Sequence, residues 1–352
     1  MHAWKAEFQK IAGLDEVWKQ KAQHRLKEQT RPEGSLGILE NFLERLVAIQ
    51  KKERLEIGAK RILIFAADHG VAAEGVSLYP SQVTKAMVLN FLNGGATINA
   101  LARHIHAEVQ VIDVGVNADF GEDPRPVHAK VGYGTRNMTQ EAAMTPGELD
   151  QAVAVGWNLV QQAKREGVTL LGLGEMGIAN TTAASAVISA LTRLPVDSVT
   201  GRGTGLGEAA LQHKIEVIQR AHERHRNFFR DPLQILQRLG GYEIAAMTGA
   251  ILAAARLGVP LVVDGWIVSA SALVAIHLNP KTSDYLFFAH QSGEHGHRLL
   301  LDLLEVNPIL NLSLRLGEAS GAALAMGILE AAMRVYNEVA TFAEAGVANR
   351  ER

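Results

Sequence analysis

Two glutamates could do acid–base chemistry, because each lies among small residues just after a short apolar run. Glu175 is in GLGEMGIANTT and Glu318 is in RLGEASGAALA. Small apolar neighbours should strip part of the hydration from a carboxylate, which raises its pKa and makes it a stronger base. Either glutamate alone could instead offset the positive end of a helix dipole, worth about 0.3–1 kcal/mol. Two of them at one edge of a sheet favour chemistry.

Two glycine-rich turns could bind phosphate. They span Gly172–Thr182 and Gly201–Lys214, and backbone N–H groups at a helix start, with Lys214 as a point charge, suit a phosphate group. Neither turn has the G-K-[ST] ending of a P-loop, and GRGTGLG matches the dinucleotide-binding fingerprint only loosely. A nicotinamide-dependent dehydrogenase is therefore a weak alternative. The turns could also simply connect strands to helices.

The stretch HQSGEHGH, His290–His297, raises the question of a metal site, because His290, Glu294 and His297 could share a helical face. It lacks the H-E-x-x-H order of zinc proteases, and polar residues at a helix start account for most of it. We predict no metal site, and the roles of these three residues stay open.

A second polar pair, Asp68 and His69, ends another apolar run in ADHG. A general base is one interpretation of this pair. Without a visible partner in the sequence, a turn-stabilising role for the aspartate is favoured, since aspartate side chains commonly hydrogen-bond the backbone of a turn.

The elements that position these residues alternate between strand and helix patterns. The predicted strands are Arg61–Asp68, Ala107–Gly115, Val168–Gly177, Val259–Trp266, Asp284–His290 and Pro308–Glu318. Such alternation predicts an α/β fold with a mostly parallel sheet and helices on both faces. The residues after each run are polar or glycine-rich, and ligands bind at the carboxyl ends of parallel strands. The long irregular stretch Val116–Asn137 is a further candidate for function.

Two terminal segments lie outside the alternation. A polar N-terminal helix and a final helix in NEVATFAEAGV predict a small helical domain from residues 1–40 and 328–352, beside a large α/β catalytic domain from 41–327.

Composition excludes several classes of protein. The 352 residues include no cysteine, so disulfides and thiol nucleophiles are absent. A net charge of −2 gives no general attraction to nucleic acid or anionic lipid. The most apolar region, Met247–Ile276, is interrupted by Arg256, Pro260 and Asp264, so no membrane insertion is expected. With no signal-peptide pattern at its start, the protein is predicted to be cytoplasmic.

The sequence resembles the nicotinate-nucleotide–dimethylbenzimidazole phosphoribosyltransferases from RPEGSLG, Arg31–Gly37, to the C-terminus. The resemblance is carried by ADHGVAAEGVSLYPSQVTKAMVLNFLNGGATINALAR, GTRNMTQEAAMT, GLGEMGIANTTAASA, DGWIVSASAL, LRLGEASGAALA and NEVATFAEAGV. Departures are small. RPEGSLG stands where the family often has a lysine and a second proline, Ala179 replaces a common glycine, and HQSGEHGH replaces the more usual HxSAExGH.

This resemblance implies a Rossmann-like sheet, a small helical domain built from both termini, a homodimer, and no metal or cofactor. It implies transfer of phosphoribose from nicotinate mononucleotide to 5,6-dimethylbenzimidazole, giving α-ribazole 5′-phosphate and nicotinate for the nucleotide loop of cobalamin. The partners would be these two small molecules, with no nucleic acid. Alternatives are a family member acting on adenine, another benzimidazole or a phenol, and a nucleotide-binding protein without catalysis.

The resemblance also assigns roles to residues. Glu318 matches the general base, and Glu175 matches a supporting acid that would stabilise the oxocarbenium character of the ribose. The donor-phosphate pocket would include Gly177, Ile178, Asn180, Thr181, Gly203 and Lys214. The benzimidazole pocket would include Tyr79, Ser81 and Met87. Three further residues that follow predicted strands are expected to bind substrate, namely Asp264, Arg315 and Leu316.

Overall fold

The computed structural model describes residues 4–56, 58–203 and 205–348. Its described residues form one six-stranded sheet in the order β3-β2-β1-β4-β5-β6, with every neighbouring pair parallel. The strands are β1 Ala59–Ala67, β2 Ala107–Gly115, β3 Val127–His128, β4 Val168–Met176, β5 Leu261–Val263 and β6 Leu286–Phe288. The predicted α/β fold with a parallel sheet is confirmed.

The strand order creates a switch point between β1 and β4. From β1 the chain winds outward through β2 and β3, and from β4 it winds in the other direction through β5 and β6. In open parallel sheets the connections diverge at such a point and leave a crevice at the carboxyl ends of the strands. The polar strand ends singled out in the sequence therefore meet at one edge.

Helices connect and cover the strands. The α-helices are α1 Trp4–Glu7, α2 Glu16–Glu28, α3 Ile38–Gln50, α4 Gln82–Leu92, α5 Thr97–His104, α6 Pro146–Arg165, α7 Asn180–Thr192, α8 Glu208–His225, α9 Pro232–Leu239, α10 Tyr242–Leu257, α11 Trp266–Leu278, α12 His297–Leu303, α13 Ser320–Glu338 and α14 Phe342–Ala345. Among the described residues, no helix combines the length and the apolar character that crossing a membrane would need.

The core lies between the sheet and its helices. Strand β4 is almost entirely buried and α10 is buried along most of its length, as expected for elements enclosed in a parallel α/β fold. Helices α6 and α10 approach backbone to backbone, because Gly156 lies against the carbonyl of Ala246 and Gly249 against that of Val153, where a Cβ would collide.

The predicted strand Pro308–Glu318 is wrong. This segment is irregular and forms only an isolated parallel bridge, between His290 and Leu310. It pairs with Phe288, the last residue of β6, and with the residues that follow it, and Leu312 in its middle is 55% exposed. An apolar run forms a strand only where a sheet edge is available along its length, and here β6 ends first.

Two helical segments are interrupted, one of them the predicted final helix. The stretch after β1 divides into α4 and α5 at Gly94 and Gly95, and Gly94 has a left-handed φ of +76°. The predicted helix in NEVATFAEAGV is split between the end of α13 and α14, because Thr341 caps a new helix with its side chain.

Helix α2 and the residue after it lie against the C-terminal segment. Arg25 on α2 donates to the carbonyl of Tyr336 at 2.9 Å, and Gln29 forms an antiparallel bridge with Thr341. Helix α1 instead packs on the large body, where the indole of Trp4 donates to Asp150 at 2.8 Å. The division into residues 1–40 with 328–352 and residues 41–327 stays a prediction.

Candidate active site

A cavity of about 130 Å³ opens at the carboxyl ends of β4, β5 and β6. Most of the residues predicted to form a site line it, namely Glu175, Gly177, Ile178, Asn180, Thr181, Gly203, Asp264, Arg315, Leu316 and Glu318. They come from four separate parts of the chain. Their convergence follows from the parallel sheet, which brings the ends of its strands to one edge.

Glu175, near the end of β4, is enclosed in this cavity with 7% of its surface exposed. Burial raises the pKa of Glu175 to about 8, a hydrogen bond from the Asn180 amide opposes the shift, and the nearby carboxylates of Glu243, Asp264 and Glu318 add to it. Asn180 is thus a partner of Glu175, in addition to any contact it makes with substrate.

The raised pKa of Glu175 predicts a pH-dependent cost in stability. Its carboxyl has a reference pKa of 4.5 and a folded pKa of about 8, so the folded state binds the proton more tightly. The stabilisation is complete below about pH 4.5 and is lost as the pH rises to about 8. Replacing Glu175 with glutamine should therefore stabilise the protein at pH 8.5 relative to pH 5, by on the order of 1 kcal/mol or more. Urea unfolding at both pH values measures this, and a pH-independent difference would contradict it.

Glu318 lies in the turn just before α13, with 8% of its surface exposed. Glu318 and Ala319 have left-handed φ angles of 60° and 69°. Burial raises the pKa of Glu318, and a backbone hydrogen bond from Ile98 at the start of α5 opposes the shift. Oε2 of Glu318 is buried and has no hydrogen-bond partner among the described residues. The structure therefore presents a partly desolvated carboxylate oxygen that is available to a ligand.

Two glycines let these carboxylates approach each other. A Cβ on Gly174 of β4 would lie 2.6 Å from the backbone nitrogen of Ala319, and one on Gly317 would lie 2.5 Å from Oε1 of Glu175. A side chain at Gly174 would push the turn away from the strand, and one at Gly317 would displace the Glu175 carboxylate. Gly174 and Gly317 thus leave room for the Glu318 turn beside Glu175.

Asp264, just after β5, fixes the same turn from the other side. Its Oδ1 accepts a hydrogen bond from the backbone of Ala322 at 2.8 Å, and the backbones of Gly321 and Ala319 also donate to it. Burial raises the pKa of Asp264 to about 7, and these hydrogen bonds oppose the shift. Asp264 therefore caps the start of α13 as well as lining the cavity, which holds Glu318 in place.

Lys214 on α8 connects the two glycine-rich turns. Its ammonium donates to Oγ1 of Thr181 at 2.8 Å and to the carbonyl of Gly201 at 3.3 Å. The side chain is fully buried, and burial lowers the pKa of Lys214 to about 8, which Glu294 opposes. Lys214 lies behind the turns and lines neither cavity, so within the described residues it contacts the cavity wall only through Thr181 and Gly201.

A larger cavity of about 580 Å³ adjoins the first and shares Gly203, Glu294 and Arg315 with it. Arg202 and His295 also line this outer space. Asp197 and Glu294 line it as well, so acidic and basic side chains are mixed in this outer space next to the glycine-rich turns.

His297 organises the loop between β6 and α12. Its Nδ1 accepts from the backbone of Ser292 at 2.8 Å, so the neutral ring carries its proton on Nε2, which donates to Oγ of Ser269 at 3.0 Å. Burial lowers the pKa of His297 to about 3, and His290 lowers it further. The imidazole is therefore neutral and holds the loop that carries Ser292 and Glu294 at the cavity wall. No group of three or more metal-ligating side chains converges within the described part of the chain.

Four predicted residues do not line the inner cavity, namely Lys214 behind the turns and three residues on or just before α4. Tyr79 is 52% exposed in the loop before α4, Ser81 lies at the start of α4, and Met87 is half-buried on it. Helix α4 nevertheless borders the site, since Thr84 accepts a hydrogen bond from the backbone of Ile178 at 3.2 Å. The assignment of α4 to the benzimidazole pocket stays a prediction.

Sequence reasoning did not name some of the lining residues. Trp266 and Ser292 face the inner cavity, and the signal for them was present, because DGW and HQSG lie at the ends of predicted strands. His290, which the sequence marked only as a possible metal ligand, also lines this cavity. Sequence reasoning also missed the partner of His69, whose Nε2 forms a fully buried ion pair with Glu243 at 2.6 Å.

Comparisons with known proteins all point to one family. A family model described as "Phosphoribosyltransferase" matches residues 11–347. A protein of Geobacter sulfurreducens named nicotinate-nucleotide–dimethylbenzimidazole phosphoribosyltransferase is 51% identical over 339 residues, 96% of each chain. A protein of the same name from Chlorobium chlorochromatii is 49% identical over 340 residues, 97% of this chain and 96% of that one. The crystal structure of CobT from Thermus thermophilus superposes with a TM-score of 0.91 at 44% identity, covering 95% of this chain and all of that one.

Proposed function

This chain belongs to the nicotinate-nucleotide–dimethylbenzimidazole phosphoribosyltransferase family, and we infer that it transfers phosphoribose from nicotinate mononucleotide to 5,6-dimethylbenzimidazole. The products are α-ribazole 5′-phosphate and nicotinate, and the former supplies the nucleotide loop of cobalamin. One observation in the structure supports the inference most strongly: two buried carboxylates, Glu175 and Glu318, line the same cavity as residues of the two glycine-rich turns.

The reaction exchanges one C1′–N bond for another. A ring nitrogen of dimethylbenzimidazole attacks C1′ of the ribose, and the bond from C1′ to the nicotinate nitrogen breaks with its electron pair remaining on that nitrogen. Nicotinate leaves from a cationic ring and becomes neutral at nitrogen, so this departure needs no general acid. Attack from the opposite face converts the β-nucleotide into an α-nucleotide.

We assign the proton transfer to Glu318. The second ring nitrogen of dimethylbenzimidazole carries a proton that must leave as the new bond forms. Burial raises the pKa of the Glu318 carboxyl, which narrows the gap between base and acid and improves general base catalysis. The unpartnered Oε2 is the acceptor that such a proton requires.

We assign charge stabilisation to Glu175. As the bond to nicotinate lengthens, the ribose gains oxocarbenium character, as in glycoside hydrolysis, and an adjacent anion lowers the energy of that state. With a pKa of about 8, this carboxyl by itself favours its neutral form at pH 7. A bound cationic nicotinate ring opposes the effect of burial and favours the anion.

The donor phosphate should bind between the two glycine-rich turns, with Lys214 as its counter-charge. Replacing Lys214 with alanine should weaken nicotinate mononucleotide on the order of tenfold or more, because a charge-assisted hydrogen bond and the bridge between the turns are both lost. Binding of dimethylbenzimidazole should change far less. Calorimetric titration of each substrate measures this, and equal weakening of both would rule out the phosphate role.

The acceptor is tested directly. Purified protein would be incubated with nicotinate mononucleotide and, separately, dimethylbenzimidazole, benzimidazole, adenine or a phenol, with products identified by mass. The largest yield is expected for α-ribazole 5′-phosphate. A faster reaction with adenine or a phenol would reassign the acceptor, and donor binding without release of nicotinate would indicate a protein that does not catalyse the transfer.

We further propose a homodimer in the cytoplasm. Four leucines of the segment from α12 to the start of α13 have large exposed side chains, namely Leu299, Leu303, Leu312 and Leu316. A second copy of the chain would cover such apolar side chains. Light scattering should give twice the chain mass of 38.0 kDa, and cell fractionation should recover the protein away from membranes. A monomer, or a membrane-bound pool, would contradict these two proposals.

A further inference from the structure

Asp68, just after β1, is a buried carboxylate that connects three strand ends. It has 5% of its surface exposed. Its Oδ2 accepts the backbone N–H of Asn117, which follows β2, at 2.8 Å. Its Oδ1 accepts the hydroxyl of Thr84 on α4 at 2.7 Å. Thr84 in turn reaches the residues that follow β4.

The direction of these hydrogen bonds is fixed by Ile178. The backbone N–H of Ile178 can only donate, and it points to Oγ1 of Thr84 at 3.2 Å. The single hydroxyl proton of Thr84 must therefore be given to Asp68. Thr84 is fully buried, so no water can replace either partner without opening the structure. The three groups form a relay from Asp68 through Thr84 to Ile178.

The base of the relay is rigid. The backbone of Asp68 donates to the carbonyl of Gly115 and accepts from the N–H of Thr135, both at 3.0 Å. The next residue, His69, is anchored to α10 by its buried pair with Glu243. Because Asp68 is fixed by these contacts, its hydrogen bond also fixes the position of the Thr84 hydroxyl.

The other end of the relay contacts both the turn assigned to the donor and the helix assigned to the acceptor. Ile178 lines the inner cavity within the turn assigned to the donor phosphate. Thr84 lies on α4, which also carries Ser81 and Met87, the residues assigned to the acceptor. The hydroxyl of Thr84 is therefore a direct link between the donor turn and the acceptor helix.

We propose that Thr84, held by Asp68, is a positioning residue that fixes the distance and angle between the two substrates. This proposal rests on the proposed function. Transfer requires the attacking nitrogen and C1′ to begin in near-attack geometry, and a misplacement of about 1 Å can lower a rate by on the order of 10²-fold. Loss of the relay should therefore lower turnover more than it weakens either substrate.

The main test replaces Thr84 with valine, which keeps the shape and removes the hydroxyl. We expect kcat to fall about tenfold or more while each KM stays within about threefold. Thr84→Ser keeps the hydroxyl and should recover most of kcat. Thr248→Val is the matched control, since Thr248 is equally buried and its hydroxyl bonds the carbonyl of Ile244 in its own helix; its kcat should be unchanged.

A second measurement does not depend on catalysis. Hydrogen exchange of peptides covering residues 174–182 should be faster in Thr84→Val and unchanged in Thr248→Val, because only the former frees the Ile178 amide. If wild-type protein forms no α-ribazole 5′-phosphate, the proposed function has failed, and this exchange still decides whether the relay exists. Unchanged exchange in Thr84→Val would overturn the proposal.

Asp68→Asn tests the same relay if Thr84→Val does not fold. Thr84 and the N–H of Asn117 donate to different oxygens of Asp68, and asparagine replaces one of these oxygens with an NH₂ group that cannot accept, so one of the two hydrogen bonds is lost. We expect the same fall in kcat and faster exchange of residues 174–182. A kcat within twofold of wild type in Thr84→Val would overturn the proposal. If that variant does not fold, the same result in Asp68→Asn would overturn it. A Thr84→Ser variant as slow as Thr84→Val would also overturn it.

Discussion

Replacing Glu318 with glutamine should lower kcat by about 10²–10⁴-fold, the usual contribution of a general base, with little change in the affinity for nicotinate mononucleotide. The variant keeps the shape of the turn and removes the only function that needs an ionisable oxygen. Wild-type turnover should fall on the acidic side with an apparent pKa above the reference value of 4.5, because burial raises the pKa of Glu318. The contribution of Glu318 to that limb should disappear in the variant, and what remains is the ionisation of Glu175. Steady-state kinetics across pH measures both.

A matched control is available at Glu305. This glutamate also has a left-handed φ, of 54°, but it is exposed at the end of α12 and lines neither cavity. Glu305→Gln therefore makes the same chemical change on a similar backbone and should leave kcat unchanged. Near-normal turnover of Glu318→Gln would remove Glu318 from the mechanism, and its acidic limb would then belong to another group.

Replacing Gly174 with alanine should lower kcat on the order of 10²-fold. The new methyl group would lie 2.6 Å from the backbone nitrogen of Ala319 and 2.8 Å from the carbonyl carbon of Glu318. Backbone atoms cannot rotate out of the way as a flexible side chain can, so the turn must move and carry the Glu318 carboxylate with it. Steady-state kinetics gives the loss of turnover, and thermal unfolding shows whether the fold is retained.

Gly172, two residues earlier on the same face of β4, gives the control. A Cβ there would lie 3.0 Å from the sulfur of Met326 and 3.3 Å from Ile62. A methionine side chain adapts to such crowding, so Gly172→Ala should lower stability modestly and leave kcat near that of wild type. Equal losses of kcat in the two variants would show that packing of α13 in general, rather than the position of Glu318, limits turnover.

Both predictions depend on a site that trades stability for chemistry. Glu175, Asp264 and Glu318 are buried at one edge of the sheet, and the pKa of each is raised by burial. Hydrogen bonds from backbone amides and from one asparagine offset part of the free-energy cost of burying these carboxyl groups. The packing of the surrounding core must offset the rest. A strongly shifted group in a cleft is what proton transfer near neutral pH requires.

Much of this protein is determined by sequence alone. Strand β2 has the predicted bounds, and β1 and β4 differ from theirs by only one or two residues, because apolar and β-branched runs between glycine and polar residues are a local signal. Glu175 and Glu318 were singled out by their small neighbours, and the order of long motifs identified the family. Each of these properties depends on residues that are close to one another in the sequence.

Other features were decided only by tertiary structure. The run Pro308–Glu318 has a strand pattern but no strand edge beside it, and Asp68 acquires its role from Thr84 and Asn117, which are 16 and 49 residues away. Lys214 is buried behind two turns, which its spacing in the sequence does not show. Local patterning sets which segments become strands and helices, whereas the partners of a buried polar group depend on how distant segments pack against one another, and a single sequence carries no direct record of that packing.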